Sequence, residues 1–174
     1  MTNWFEIDAR LSAGLRVAEK PGKRRRLAII LGHSGDSWFW LLGLPLVFWM
    51  GDETWRQLAI VLIAGILLTA VVVLLIKFIV RRQRPEGEWG QIYRRTDPHS
   101  FPSGHAARSL MLAVVALALG PAWLGWLLIV WAPLVGLARV ATGLHYVSDV
   151  VAGWVLGLVI GLVAVQISGV IPTF

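Results

Sequence analysis

The sequence predicts an all-α integral membrane bundle of about five transmembrane helices, with six as the alternative count, preceded by an amphipathic helix lying in the membrane interface. Three observations predict it. The 174 residues are 57% hydrophobic and 15% charged, with a mean hydropathy of +0.70. A soluble domain would carry about 45–50% apolar and about 25% charged residues. Several apolar runs approach the ~20 residues that a bilayer core demands. The ten tryptophans suit the membrane boundaries, with Trp38, Trp40, Trp49, Trp55, Trp123, Trp126 and Trp131 near the ends or faces of the expected spans.

At the amino terminus, Trp4, Ile7, Leu11, Leu15 and Ala18 recur at helical spacing among charges, which describes a helix lying in the interface. With Glu6, Asp8, Arg10, Arg16, Glu19 and Lys20 in the first twenty residues, no signal peptide is expected. "KPGKRRR" (20–26) then breaks the helix, so residues 1–26 form an interfacial helix with a basic linker and residues 27–174 the transmembrane domain. The first span is expected over Leu27–Met50, interrupted by His33, Ser34, Gly35 and Asp36, and the second over Leu58–Ile76. Residues 81–101 form one long polar loop. The third span runs from Ser103 to Leu119, and the fourth from Ala122 to Leu137 with a kink at Pro133. The fifth covers Val147–Val170. In an up-down bundle, Lys77, Ser103, Arg139 and His145 all lie at span ends on one side of the membrane.

Three stretches carry chemistry. "KFIVRRQRP" supplies Lys77, Arg84 and Pro85; "FPSGHAAR" supplies Pro102, Ser103, Gly104 and His105; "ARVATGLHYVSD" supplies Arg139, His145 and Asp149. Taken singly, Lys77 and Arg84 read as snorkelling cations, His105 as a cap and Arg139 as a topology anchor. His145 and Asp149, one helical turn apart, read as a satisfied pair at the boundary. Those readings leave the joint spacing unexplained. Three cations, two histidines, a carboxylate and a small-residue helix start suit a phosphate: arginine grips its oxygens bidentately and lysine as a point charge. Pro102 suits a first helical turn, and free N–H groups at Ser103, Gly104 and His105 would add an anion site.

These stretches resemble the signature motifs of the type-2 phosphatidic acid phosphatase superfamily, K-x6-RP, PSGH and SR-x5-H-x3-D, in that order over roughly residues 30–165. The single departure is Ala138, where the family has serine. The resemblance implies a phosphatase in which His145 is the nucleophile, Asp149 its orienting partner, and His105 the acid that protonates the leaving alkoxide. It implies that Lys77, Arg84, Ser103, Gly104 and Arg139 bind the substrate phosphate, without cofactor or metal. The hydroxyl lost at Ala138 corresponds to one hydrogen bond, about 1 kcal/mol, which tunes rate.

The expected substrate is a lipid phosphomonoester of the phosphatidic acid or phosphatidylglycerophosphate type; a polyprenyl phosphate or pyrophosphate is the alternative, and the partners are lipid and membrane. The net charge of +6 reads as topology and head-group attraction, not nucleic-acid binding. A transporter would place its charges near mid-membrane beside inverted repeats, whereas these cluster at span ends. Cysteine is absent, excluding thiolate metal sites. Basic residues crowd the amino-terminal segment (Arg10, Arg16, Lys20, Lys23–Arg26) and the 81–95 loop, against Arg56 on the other side. The positive-inside rule therefore predicts a cell-membrane protein with its site facing the cytoplasm. Arg81, Arg82, Arg94, Arg95 and His99 match no motif and read as topology charges or head-group contacts. His33 and Asp36 stay open between a functional role and a wet helix start.

Overall fold

The computed structural model describes residues 4–87 and 97–169. Arg94, Arg95, Val170 and the middle of the long polar loop lie outside the described residues. Among those described, the chain forms seven helices: α1 (Trp4–Leu15), α2 (Lys23–Ser34), α3 (Ser37–Met50), α4 (Glu53–Val80), α5 (Gly104–Leu119), α6 (Ala122–Ala141) and α7 (Val147–Ser168). Helices α4, α6 and α7, of 28, 20 and 22 residues, are long and apolar enough to cross a membrane; α3 and α5 are shorter apolar helices. Large apolar side chains point outward along them, among them Ile60, Leu67, Leu75 and Ile79 of α4 and Val155, Val159 and Leu162 of α7. Such a surface suits contact with lipid hydrocarbon.

The run read as the first span is two helices. Gly35 ends α2 and Asp36 precedes α3 in an extended conformation, so the His33–Asp36 interruption breaks the helix completely. Helix α2 runs antiparallel along α6. Ala28 packs with Ala138, and deeper in, Trp131 Nε1 donates to Ser34 Oγ at 2.8 Å. The break lies beside Val135 and His105, level with the inner part of the bundle.

Helix α5 is central and packs on α7, α6 and α4. Lipid tails give apolar side chains no reason to leave them, so helices in a membrane associate through close packing. Here Gly153, Gly157 and Gly161 of α7 lie against Ser103, Ala107 and Val114, and a Cβ at Gly157 would overlap the Ala107 carbonyl oxygen. On the other face of α5, Met111, Leu112 and Val115 meet Leu58, Leu62 and Ile66 of α4 in the main core. This seating fixes the beginning of α5 beside the beginning of α7.

Helix α1 ends at Leu15, so Ala18 lies beyond it, buried with Ala28 and Ala138. Trp4, Phe5, Leu11 and Leu15 point away from the bundle. The polar face docks instead. Ser12 Oγ accepts from Val147 N at 3.0 Å, and Asp8 accepts from Ser148 N at 3.1 Å.

Candidate active site

The ends of α4, α5, α6 and α7 meet around one cavity of about 510 Å3, lined by Lys77, Arg84, Asp97, Gly104, His105, Arg108, Arg139 and His145 on its polar side. Asp36, Ser37, Trp38, Thr69, Ala70, Val73 and Leu74 line the rest. Residues more than seventy positions apart are thus neighbours, as the up-down arrangement requires.

His145 lies in the α6–α7 connection and is buried. Its Nε2 stands 3.2 Å from Arg84 Nη1, and its Nδ1 stands 3.5 Å from Asp149 Oδ2. A guanidinium only donates, so Nε2 carries the lone pair and Nδ1 the proton, which faces Asp149. Burial pushes the imidazole down to about 3; Asp149 opposes this, while Arg84 and Arg139 push it the same way as burial. The ring is therefore neutral at ordinary pH, with its Nε2 lone pair turned to Arg84 in a field of cations. Asp149 is firmly held. Its Oδ2 accepts from Tyr146 N at 2.9 Å, capping α7, and its Oδ1 accepts from Arg82 Nη1 at 2.7 Å.

Arg82 is therefore more than a topology charge. It bridges Asp149 to Asp8 of α1 at 2.6 Å, donates to Ser148 Oγ at 2.6 Å, and lies 3.9 Å from the centre of the Tyr146 ring. Its position two residues before Arg84 was the only sequence signal of this role.

Lys77 and Arg84 share Asp97. Lys77 Nζ pairs with Asp97 Oδ2, and Arg84 Nη2 reaches the same oxygen at 2.7 Å. Arg84 Nε also donates to the Asp97 carbonyl at 2.7 Å, and Nη1 to the Leu144 carbonyl at 2.9 Å. Burial acts to raise the Asp97 carboxyl, but the neighbouring Lys77 and Arg84 hold it below the usual carboxylate range. An antiparallel bridge between Gln83 and His99 brings Asp97 back to the cavity. Sequence reasoning did not single out Asp97, because an acid in a polar loop carries no pattern.

Ser103 is fully buried and caps α5 by accepting from Ala106 N at 3.5 Å. Its own amide donates to the Asp149 carbonyl at 2.9 Å. The expectation of a free N–H at Ser103 is thus corrected: the close approach of α5 to α7 consumes it. Pro102 likewise lies outside the helix, ahead of the cap and joined to Phe101 by a cis bond, because Ser103 takes the capping place. Gly104, His105 and Arg139 line the cavity.

His105 Nε2 bonds Asp36 Oδ1 at 2.6 Å. Asp36 Oδ2 also accepts from His33 Nδ1 at 2.9 Å and Trp38 Nε1 at 3.2 Å. Asp36 thus gathers three ring N–H groups on its two oxygens. Arg108, which the sequence reading passed over inside an otherwise apolar helix, is buried and donates from Nε to the Gly35 carbonyl at 2.7 Å and from Nη1 to Ser37 Oγ at 2.6 Å.

Two histidines, each beside a carboxylate, thus face a cavity rich in cations. Comparison with known proteins agrees with this geometry. The family model described as the PAP2 superfamily matches residues 58–171. An undecaprenyl-diphosphatase of Sulfolobus acidocaldarius is 32% identical over 84% of this chain and 71% of its own length. A decaprenylphosphoryl-5-phosphoribose phosphatase of Mycobacterium tuberculosis is 33% identical over 80% of this chain and 77% of its own length. The fold resembles a crystal structure of a transmembrane PAP2-type phosphatidylglycerolphosphate phosphatase from Bacillus subtilis, with a TM-score of 0.78 at 22% identity over 99% of this chain and 90% of the other. The three motifs, the shared cavity and the extent of these matches place the chain in the PAP2 superfamily of membrane phosphatases.

Proposed function

We propose that the protein hydrolyses the terminal phosphate of a membrane lipid phosphate through a phosphohistidine at His145. The observation that carries this reading is the placing of His145 and His105 on one cavity with Lys77, Arg84 and Arg139. The neutral Nε2 of His145 attacks phosphorus while the bond to the lipid oxygen breaks. His105 gives that oxygen its proton, and Asp149 stabilises the imidazolium character that His145 acquires. Water then attacks the phosphohistidine, its proton passes to His105, and inorganic phosphate leaves. Lys77, Arg84, Arg139 and the Gly104 amide stabilise the equatorial oxygens, with buried Ser103 holding the helix start in place.

The apolar wall of Ala70, Val73 and Leu74 beside the cations suits a lipid whose head group enters while its chains stay in the bilayer. A phosphomonoester of a glycerolipid fits this cavity. A polyprenyl phosphate or pyrophosphate is the second reading, favoured by the name of the Sulfolobus acidocaldarius relative. The test is phosphate release by purified protein in detergent, with EDTA present, from phosphatidic acid, phosphatidylglycerophosphate and undecaprenyl pyrophosphate. Release from at least one of them supports the reading; none from any, or release only with added divalent metal, contradicts it.

The finer topology belongs to the same proposal. Helices α2 and α3 together make the first of five crossings, and α1 lies in the interface with its apolar side chains in lipid. Arg16 Nη1 donates to the Glu86 carbonyl at 2.9 Å and Asp8 pairs with Arg82, so the amino-terminal and loop cations share the cavity end. By the positive-inside rule that end faces the cytoplasm of a cell membrane.

A further inference from the structure

The geometry points to Asp36 as the positioning residue of the proton donor: it fixes the His105 ring through Nε2, leaving Nδ1 as the nitrogen that serves the leaving oxygen. The inference rests on the proposed role of His105. Asp36 lies ahead of residues 58–171, the region matched by the family model, on the break between α2 and α3.

Four observations carry it. First, the 2.6 Å contact joins His105 Nε2 to an oxygen of Asp36. A carboxylate only accepts, so Nε2 must be the N–H and the tautomer is set. Second, an aspartate preceding a helix ordinarily caps it by accepting from a first-turn amide. Asp36 makes no such side-chain bond to α3; His105, His33 and Trp38 take its oxygens instead. Third, Arg108 grips the chain on both sides of Asp36, at the Gly35 carbonyl and at Ser37 Oγ. A guanidinium within a membrane helix is costly, and here its contacts immobilise the segment that bears the carboxylate. Fourth, the pair repeats across the cavity the relation between His145 and Asp149, in which a carboxylate orients the ring that does the chemistry.

A ring held this way keeps its second nitrogen directed while the proton is handed over, and the nearby carboxylate stabilises the imidazolium before transfer. The step balances. The His105 proton goes to the oxygen that leaves phosphorus, His105 becomes neutral, and the later attack by water restores it. Dependence on this proton should follow the leaving group: a lipid alkoxide needs it, whereas a nitrophenolate leaves without it.

The experiment measures kcat/KM, which reports the step that phosphorylates His145, for an alkyl or lipid phosphate and for p-nitrophenyl phosphate. Asp36→Ala and the isosteric Asp36→Asn are compared with His105→Ala. In at least one Asp36 variant that elutes as a folded species, the alkyl substrate is expected to lose about 100-fold, the lower range for general acid catalysis. The nitrophenyl ester is expected to lose less than about 5-fold, far below that range. Equal losses on both substrates, or none on either, overturn the positioning role. His105→Ala separates the two levels of the argument. If it discriminates between leaving groups and the Asp36 variants do not, Asp36 alone is wrong. If His105→Ala does not discriminate, the reading of His105 falls, and the inference with it.

Discussion

Asp97 takes the place in the cation cradle where a phosphate oxygen is expected to sit, since its Oδ2 is shared by Lys77 and Arg84. An incoming phosphate therefore competes with a tethered carboxylate for the same donors. Asp97→Asn keeps the shape and removes the charge. Inhibition by vanadate, which mimics the five-coordinate phosphorus, is expected to tighten about five-fold, roughly 1 kcal/mol, the scale of one hydrogen-bond exchange. An unchanged or weakened inhibition constant shows that Asp97 supports the cradle and does not compete for it. The residues that sequence revealed were those whose identity the chemistry restricts: Lys77, Arg84, His105, Arg139, His145 and Asp149. Asp97 and Arg108 carry no sequence signal, Asp36 stays open and Arg82 reads as a topology or head-group charge; all four act as partners. A partner is chosen by distance across the fold, and many residue types at many positions could supply an oxygen or a guanidinium.

The two histidine motifs meet at the starts of α5 and α7, and the glycine contact between these helices sets how near those motifs come. Gly157 has no room for a side chain: a Cβ there meets the backbone of Ala107, which cannot swing aside as a side chain would. Gly157→Val should force the pair apart and cost about 1–3 kcal/mol, the usual range for overpacking. In detergent this reads as a lower unfolding temperature together with lost activity, since the Ser103–Asp149 backbone bond spans the same contact. Full activity with unchanged stability would show that α7 can shift without disturbing the site. Hydropathy made the long helices legible because length and apolarity decide membrane crossing. The break at Gly35–Asp36 was visible only as a polar interruption. Its depth depends on α2 packing antiparallel on α6, a contact that no local pattern encodes. The face of α1 was legible as a periodicity, but its polar side proved to be the docking side, through Asp8 and Ser12.

Over the described residues, the polar chemistry gathers at one end, and at the other Trp55 and Trp123 lie 6.4 Å apart between ring centres. Which end faces the cytoplasm can be read by single cysteines, because the chain has none of its own. In intact cells an impermeant maleimide is expected to spare Glu86→Cys and label Thr54→Cys. The reverse pattern places the site outside and makes it a recycler of outer-leaflet lipid phosphates. In the proposed reaction the assembled cavity transfers phosphate to His145 before water. The direct measurement is rapid acid-free quenching of purified protein with a radiolabelled lipid phosphate, followed by mapping of the label. An acid-labile, alkali-stable phosphoenzyme is expected on His145, absent from a folded His145→Ala variant that also lacks turnover. Label on Ser103, or turnover undiminished in His145→Ala, contradicts it.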